Sequence, residues 1–266
     1  MRYFVTDLDK TLLRSDLTLS DFSRRVWNDF SHPLTIATAR SYTGATKLLR
    51  GLKLTQPMIL LDGAMIASPK GDILRINALP PDMVNSFMDE IEREFDERPL
   101  IVGLENAEEK FLYPKKLNPY QEELLQNYRN DKRVLNIEKL RALPHNLKVV
   151  YLGDEPTLKA IESRIKSRYD VESKLSKDPY QNCHFLTLLH PLGDKAHALK
   201  ELEDMVGVEA KDVSVFGDSL NDIGMFEWAG KAIAVANALP QVKERAHLVL
   251  ERSNDEDGVA HYLAAL

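Results

Sequence analysis

FVTDLDKTLL, residues 4–13, takes a short apolar run straight into two aspartates one residue apart and then a threonine. Side chains two apart on a strand face the same side. Asp7 and Asp9 would then crowd two carboxylates together, at a cost in repulsion that a bound cation removes. Aspartate also favours helix caps and turns, and the pair taken alone supports that reading equally well.

Three further runs have the same character: PLTIATAR, MILLDGA and VSVFGDS. They lack polar alternation and are bounded by turn residues, as expected of strands buried on both faces of a parallel sheet. AIAVAN and AHLVLE follow near the carboxyl end, and helical patterns such as SDFSRRVWNDF and DKAHALKELEDMV lie between the runs. This alternation predicts a doubly wound, mostly parallel α/β sheet. The first four runs end in Asp7 and Asp9, Thr38 and Arg40, Asp62, and Asp218. Open parallel sheets bind ligands at such carboxyl ends.

The middle of the chain reads differently. In PPDMVNSFMDEIEREF, Val84, Phe87, Met88, Ile91 and Phe95 follow the spacing of an amphipathic helix, and Leu158, Ile161 and Ile165 share one face of PTLKAIESRIKSRY. LIVGLE, KFLY, KVVYL and HFLTLLH read as strands. An α+β module inserted in the sheet domain is predicted over residues 81–189, leaving a discontinuous core of 1–80 and 190–266. Pro and Gly interrupt the pattern at both borders, Leu79–Pro81 and His190–Gly193.

With 266 residues, 44% of them hydrophobic, the chain can bury a sizeable core. A formal net charge of -6 argues against a general nucleic-acid binder, which would carry a basic face. A single cysteine, Cys183, excludes an internal disulfide, suits a reducing compartment and reads as a packing residue. No signal peptide or bilayer-spanning run is evident, so a soluble cytoplasmic protein is expected.

Four signals carry the chemistry: DLDKT with Asp7 and Asp9, TIATAR with Thr38, GDKAHAL with Lys195, and GDSLND with Asp218, Asn221 and Asp222. Singly, the last three read as a cap, a solvated lysine and a polar turn. Their joint order, each at a strand end or helix start, resembles the haloacid dehalogenase-like phosphatases, in the Cof-type branch with a large cap inserted after the third core strand. The resemblance spans essentially the whole chain, including the closing NDEDGVAHYL. It implies a Rossmann-like core with an α+β cap that closes over the site and sets substrate choice.

By that resemblance Asp7 is the nucleophile that forms an aspartyl-phosphate. Asp9 is the acid/base that protonates the leaving alcohol and later activates water. Mg2+ would be held by Asp7, the backbone carbonyl of Asp9, and Asp218, with Asp222 acting on its water shell or on Lys195. Thr38, Lys195, Asn221 and the backbone N–H groups of Leu8 and Ala39 would bind the phosphoryl group. Such a site makes physical sense, because phosphoryl transfer is catalysed mainly by positioning and charge neutralisation.

The chain departs from the family pattern in three places. Ala39 stands where Gly is common, Asp62-Gly63-Ala64 replaces Asn-Gly-Ala, and Ala236 precedes Asn237 where Gly is frequent. Asp62 adds a carboxylate that reads as a turn residue or as a change in the local electrostatics. Lys115-Lys116 and Lys132-Arg133 read as solvated surface, Tyr113, Tyr120 and Tyr151 as packing residues, and His184 and His190 lack zinc spacing. The expected activity is hydrolysis of small phosphorylated metabolites, sugar phosphates foremost, with no nucleic-acid or membrane partner. A phosphomutase and a non-catalytic metabolite sensor are the alternatives.

Overall fold

The computed structural model describes residues 2–177 and 183–266. Two compact units divide the chain: Met1–Ile76 with Asp194–Leu266, and Asn77–Gly193.

In chain order, the first unit opens with strand β1 (Tyr3–Thr6), helix α1 (Asp21–Asp29), β2 (Leu34–Ile36) and α2 (Tyr42–Leu48). A hairpin sheet of β3 (Met58–Leu60), β4 (Met65–Ala67) and β5 (Ile73–Ile76) follows. Ser20 and Ser41 cap α1 and α2 by accepting the N–H of Ser23 and Gly44, which satisfies donors the first helical turn leaves open.

The second unit comprises α3 (Pro81–Phe95), β6 (Leu100–Glu105), β7 (Glu108–Pro114), α4 (Pro119–Gln126), β8 (Val134–Ile137), β9 (His145–Gly153), α5 (Glu155–Lys166), β10 (Glu172–Lys177) and β11 (His184–Leu189). Its sheet runs β10-β11-β9-β6-β7-β8, antiparallel except between β7 and β8. Val84, Phe87 and Ile91 of α3 and Leu158 and Ile161 of α5 pack with Ile101, Val149, Leu186 and Leu188 in one core. These are the apolar faces that the helical spacing picks out.

The chain then returns to the first unit through α6 (Lys195–Val206), β12 (Val213–Gly217), α7 (Ile223–Trp228), β13 (Lys231–Ala234), α8 (Pro240–Lys243), β14 (Leu248–Val249) and α9 (Gly258–Ala264). The sheet order is β14-β13-β12-β1-β2, parallel throughout. One further parallel bridge, Ala37 to Ile59, carries β3 alongside β2. β1 and β12 are buried along their whole length, which explains why both read as unbroken apolar runs. AHLVLE forms only a two-residue exposed strand, because it lies at the sheet edge. No helix among the described residues is long and apolar enough to cross a membrane.

Candidate active site

The parallel order places the ends of β1, β2 and β12 side by side. β1 stops at Thr6, and Asp7 adds one more ladder bond, its N–H donating to the Phe216 carbonyl at 2.9 Å. The chain then turns, with Lys10 at a left-handed φ of 57°. Asp7 and Asp9 therefore sit on a turn, where strand alternation does not hold. They also face different cations. Lys195 Nζ donates to Asp7 Oδ1 at 2.6 Å, whereas Arg40 grips Asp9 with two bonds, Nε to Oδ2 at 2.7 Å and Nη2 to Oδ1 at 2.6 Å. Leu8, between them, is buried, and its carbonyl accepts from Leu13 N–H at 2.8 Å.

Lys195 owes its place to a helix cap. Asp194 accepts the N–H groups of Ala196 and His197, which makes Lys195 the first residue of α6. The turn at Leu61–Gly63 abuts this point so closely that a Cβ on Gly63 would lie 2.1 Å from the Asp194 carbonyl oxygen. The lysine is 1% exposed. Its Nζ also donates to Asp222 Oδ1 at 2.7 Å.

Asp222 organises the end of β12. Its Oδ2 accepts the N–H groups of Asp218 and Ser219 at 3.0 and 3.1 Å. Gly217 has no room for a side chain there, since a Cβ would meet the Asp222 carboxylate at 2.6 Å. Asp218 is buried, and its Oδ1 accepts from Thr11 Oγ1 at 3.0 Å. At the end of β2, Thr38 is fully buried, its carbonyl accepts from Asp62 N–H at 3.0 Å, and its Oγ1 accepts from Arg40 N–H at 3.2 Å. Ala39 is exposed beside it. Asn221 Nδ2 donates to Asp62 Oδ1 at 3.1 Å, and Asn221 Oδ1 accepts from Ser219 Oγ.

One oxygen each of Asp7, Asp218 and Asp222 lies within 4.8 Å of the others, and all three residues are buried. Lys195 is the cation bonded to two of them. When all three are ionised, three carboxylates against one ammonium leave two negative charges, which one divalent cation would balance. Burial, with repulsion from Asp222 and Asp218, pushes Asp7 well above the usual carboxylate range despite the opposing pull of Lys195. Burial and then Asp222 push Asp218 up to about 6. Burial works against the charge on Lys195, but Asp222 and Asp7 outweigh it and hold the ammonium well above its ordinary value. An all-oxygen donor set with surplus negative charge fits a hard divalent cation.

The sequence signals thus converge, and the structure adds residues to which sequence reasoning gave no role. Arg40 and Thr11 lie inside the quoted TIATAR and DLDKT segments, one on Asp9 and the other on Asp218. The Asp62–Asn221 contact joins segments 159 residues apart, and nothing in local spacing announces it.

The profile of the haloacid dehalogenase-like hydrolases matches residues 4–263. The chain is a haloacid dehalogenase-like hydrolase. Within that family it is 25% identical to 5-amino-6-(5-phospho-D-ribitylamino)uracil phosphatase YitU of Bacillus subtilis, over 97% of this chain and 94% of the relative. It is 26% identical to the HMP-PP phosphatase of Serratia proteamaculans, over 97% and 92%. A haloacid dehalogenase-like hydrolase from Bacteroides thetaiotaomicron shares its fold with a TM-score of 0.80 at 25% identity, covering 99% and 98% of the two chains. Haloacid dehalogenase-like relatives matched along nearly their whole length are named phosphatases, and this chain is a phosphatase of the same family.

Proposed function

We propose that this phosphatase is a cytoplasmic, Mg2+-dependent enzyme that hydrolyses small phosphorylated metabolites, sugar phosphates foremost, through an aspartyl-phosphate on Asp7. The observation that carries the reading is the buried cluster of Asp7, Asp218 and Asp222 around a fully buried Lys195. Asp7, Asp218 and the backbone carbonyl of Asp9 would hold the cation. Bound there, Mg2+ supplies the positive charge that lets a carboxylate and a phosphate dianion approach. Asp222 already accepts three hydrogen bonds, which suits it to seating Lys195 and the Asp218 loop.

In the first half-reaction an Asp7 carboxylate oxygen forms a bond to phosphorus as the ester oxygen departs, and Asp9 gives that oxygen its proton. Lys195, Thr38 and Asn221, with the N–H groups of Leu8 and Ala39, serve the phosphoryl oxygens. In the second half-reaction Asp9 takes a proton from water, the water oxygen bonds to phosphorus, and the Asp7–phosphorus bond breaks to release phosphate. Arg40 occupies both oxygens of Asp9, so one of its two bonds must loosen when Asp9 carries the proton. The names of the relatives, a ribitylamino phosphate phosphatase and an HMP-PP phosphatase, support small phosphate esters as substrates. Residues 81–189 would act as the cap that sets substrate choice.

The test is phosphate release from a panel of sugar phosphates, sugar-alcohol phosphates, nucleotides and pyrophosphates, with Mg2+ and with EDTA, for wild type and Asp7→Asn. Metal-dependent release from sugar phosphates that the variant abolishes is the expected result. Release that persists in EDTA removes the metal from the mechanism, and substantial turnover by Asp7→Asn removes the nucleophile.

A further inference from the structure

Residues 10–15 leave the catalytic turn and are held by the carboxyl-terminal part of the chain. Asn237 Nδ2 donates to the Lys10 carbonyl at 2.8 Å, and Asn237 Oδ1 accepts from Asn254 N–H at 2.9 Å. Asn254 is buried and donates its side-chain amide to the Leu13 carbonyl at 2.9 Å. The Asp255 carboxylate accepts both the N–H and the hydroxyl of Ser15, each at 2.7 Å. Arg14 gives Asp257 two bonds, at 2.7 and 3.3 Å, and Ser23 adds a third at 3.0 Å. Apart from the local Asn254–Asn237 bond, each of these contacts spans more than 200 residues of sequence.

We propose that Asn237, backed by Asn254–Asp257, is a positioning residue for the loop that carries the acid/base Asp9. The reasoning starts from Lys10. Its left-handed φ of 57° is unfavourable for a residue with a side chain, so something outside the loop must hold it. The Lys10 carbonyl belongs to the Lys10–Thr11 peptide. Fixing its direction fixes ψ of Lys10 and φ of Thr11, and so aims Thr11 Oγ1 at Asp218. On its other side the same residue sets where the Asp9 backbone turns. The orientation of the Asn237 amide is settled, because its oxygen faces the Asn254 donor and its nitrogen faces the Lys10 acceptor. Asn237 is itself exposed, so it adds little to the core. A role confined to stability would leave turnover intact when it is removed.

The proposal rests on Asp9 being the acid/base, and the experiment separates the two. Asn237→Ala removes both bonds. Asn237→Asp keeps an acceptor for Asn254 but places an oxygen against the Lys10 carbonyl. Both variants, made in the full chain, are expected to melt within a few degrees of wild type. Amide hydrogen exchange across residues 9–15 should be at least several-fold faster. With Mg2+, kcat should fall about five- to tenfold, the scale of one lost hydrogen bond, and KM should stay within about twofold. The loss should be larger for an alkyl phosphate than for p-nitrophenyl phosphate, whose leaving group needs little protonation. Unchanged exchange across residues 9–15 overturns the clamp. Faster exchange with unchanged kcat, or wild-type kcat in Asn237→Asp, overturns the positioning role. Asp9→Asn assayed on the same two esters reports on the acid/base assignment separately: equal losses on both would remove that assignment whatever Asn237 does.

Discussion

Replacing Lys195 with Met tests the charge account directly. The ammonium is fully buried and bonds to Asp7 and Asp222 at 2.6 and 2.7 Å. Methionine nearly conserves the volume, so the cavity cost is small. What remains is three buried carboxylates with their bonded ammonium gone, and removing one partner of a buried ion pair costs about 3–5 kcal/mol. At about 2–4 °C per kcal/mol for a domain of this size, the melting temperature in EDTA at pH 8 should fall by roughly 10 °C. Asp7 and Asp218 are raised above the usual carboxylate range, so protonating them relieves the repulsion and the loss should shrink at pH 5. Mg2+ should raise the melting temperature of the variant more than that of wild type, because the variant has more uncompensated charge to cancel. Circular dichroism melts at both pH values, with EDTA and with Mg2+, give all four numbers. A fall of less than about 2 °C at pH 8, the same at pH 5 and untouched by Mg2+, would refute the electrostatic argument.

Arg40→Ala should separate stability from turnover: the Arg40–Asp9 pair is about a third exposed, so stability should change by less than about 1 kcal/mol while kcat drops about tenfold. Parallel melts and steady-state rates check this, and equal small effects on both would deny Arg40 a hand in catalysis. In EDTA, Asp218 holds a proton up to about pH 6, above its unfolded value. Its stabilising contribution is therefore complete below about pH 4 and fades as pH rises through about 6, by at most about 3 kcal/mol. Urea unfolding of wild type against Asp218→Asn should show a steeper decline in the wild type between pH 4.5 and 7.5, and a rise would reverse the sign of the argument. Asp62→Asn keeps an acceptor for Asn221 and removes a carboxylate whose field reaches Lys195. KM for a phosphate ester should fall with kcat little changed, and a higher KM would show that the charge aids binding.

Much of this was legible in the sequence because it is local. Asp7, Thr38, Lys195 and Asp218 each sit at a strand end or helix start, and apolar runs and caps mark those places in a linear reading. The borders expected for the insertion rest on the same kind of local signal, Pro and Gly interrupting the pattern. Sequence did not reveal which cation each carboxylate faces. Alternation suggested that Asp7 and Asp9 crowd each other, but the strand ends at Thr6 and the turn sends one to Lys195 and the other to Arg40. Asn237 could be matched to a family position without a role, because its partners Lys10 and Asn254 lie far away in the chain and leave no periodic trace.

The position of β1 has a consequence for how the chain is made. The strand pairs with β2 close by and with β12 far away, so on a ribosome its second neighbour does not yet exist when it emerges. An apolar strand with one open edge must wait while the intervening residues are synthesised, at about 5–20 residues per second. The second unit shortens that wait in conformational terms. Asn77 Nδ2 bonds to the Leu192 carbonyl at 3.0 Å, so once this unit folds its two ends are tied. Bringing β12 to β1 then closes a shorter loop, at a somewhat smaller entropic cost, and mutations that slow folding of residues 77–193 should leave nascent chains prone to aggregate through β1.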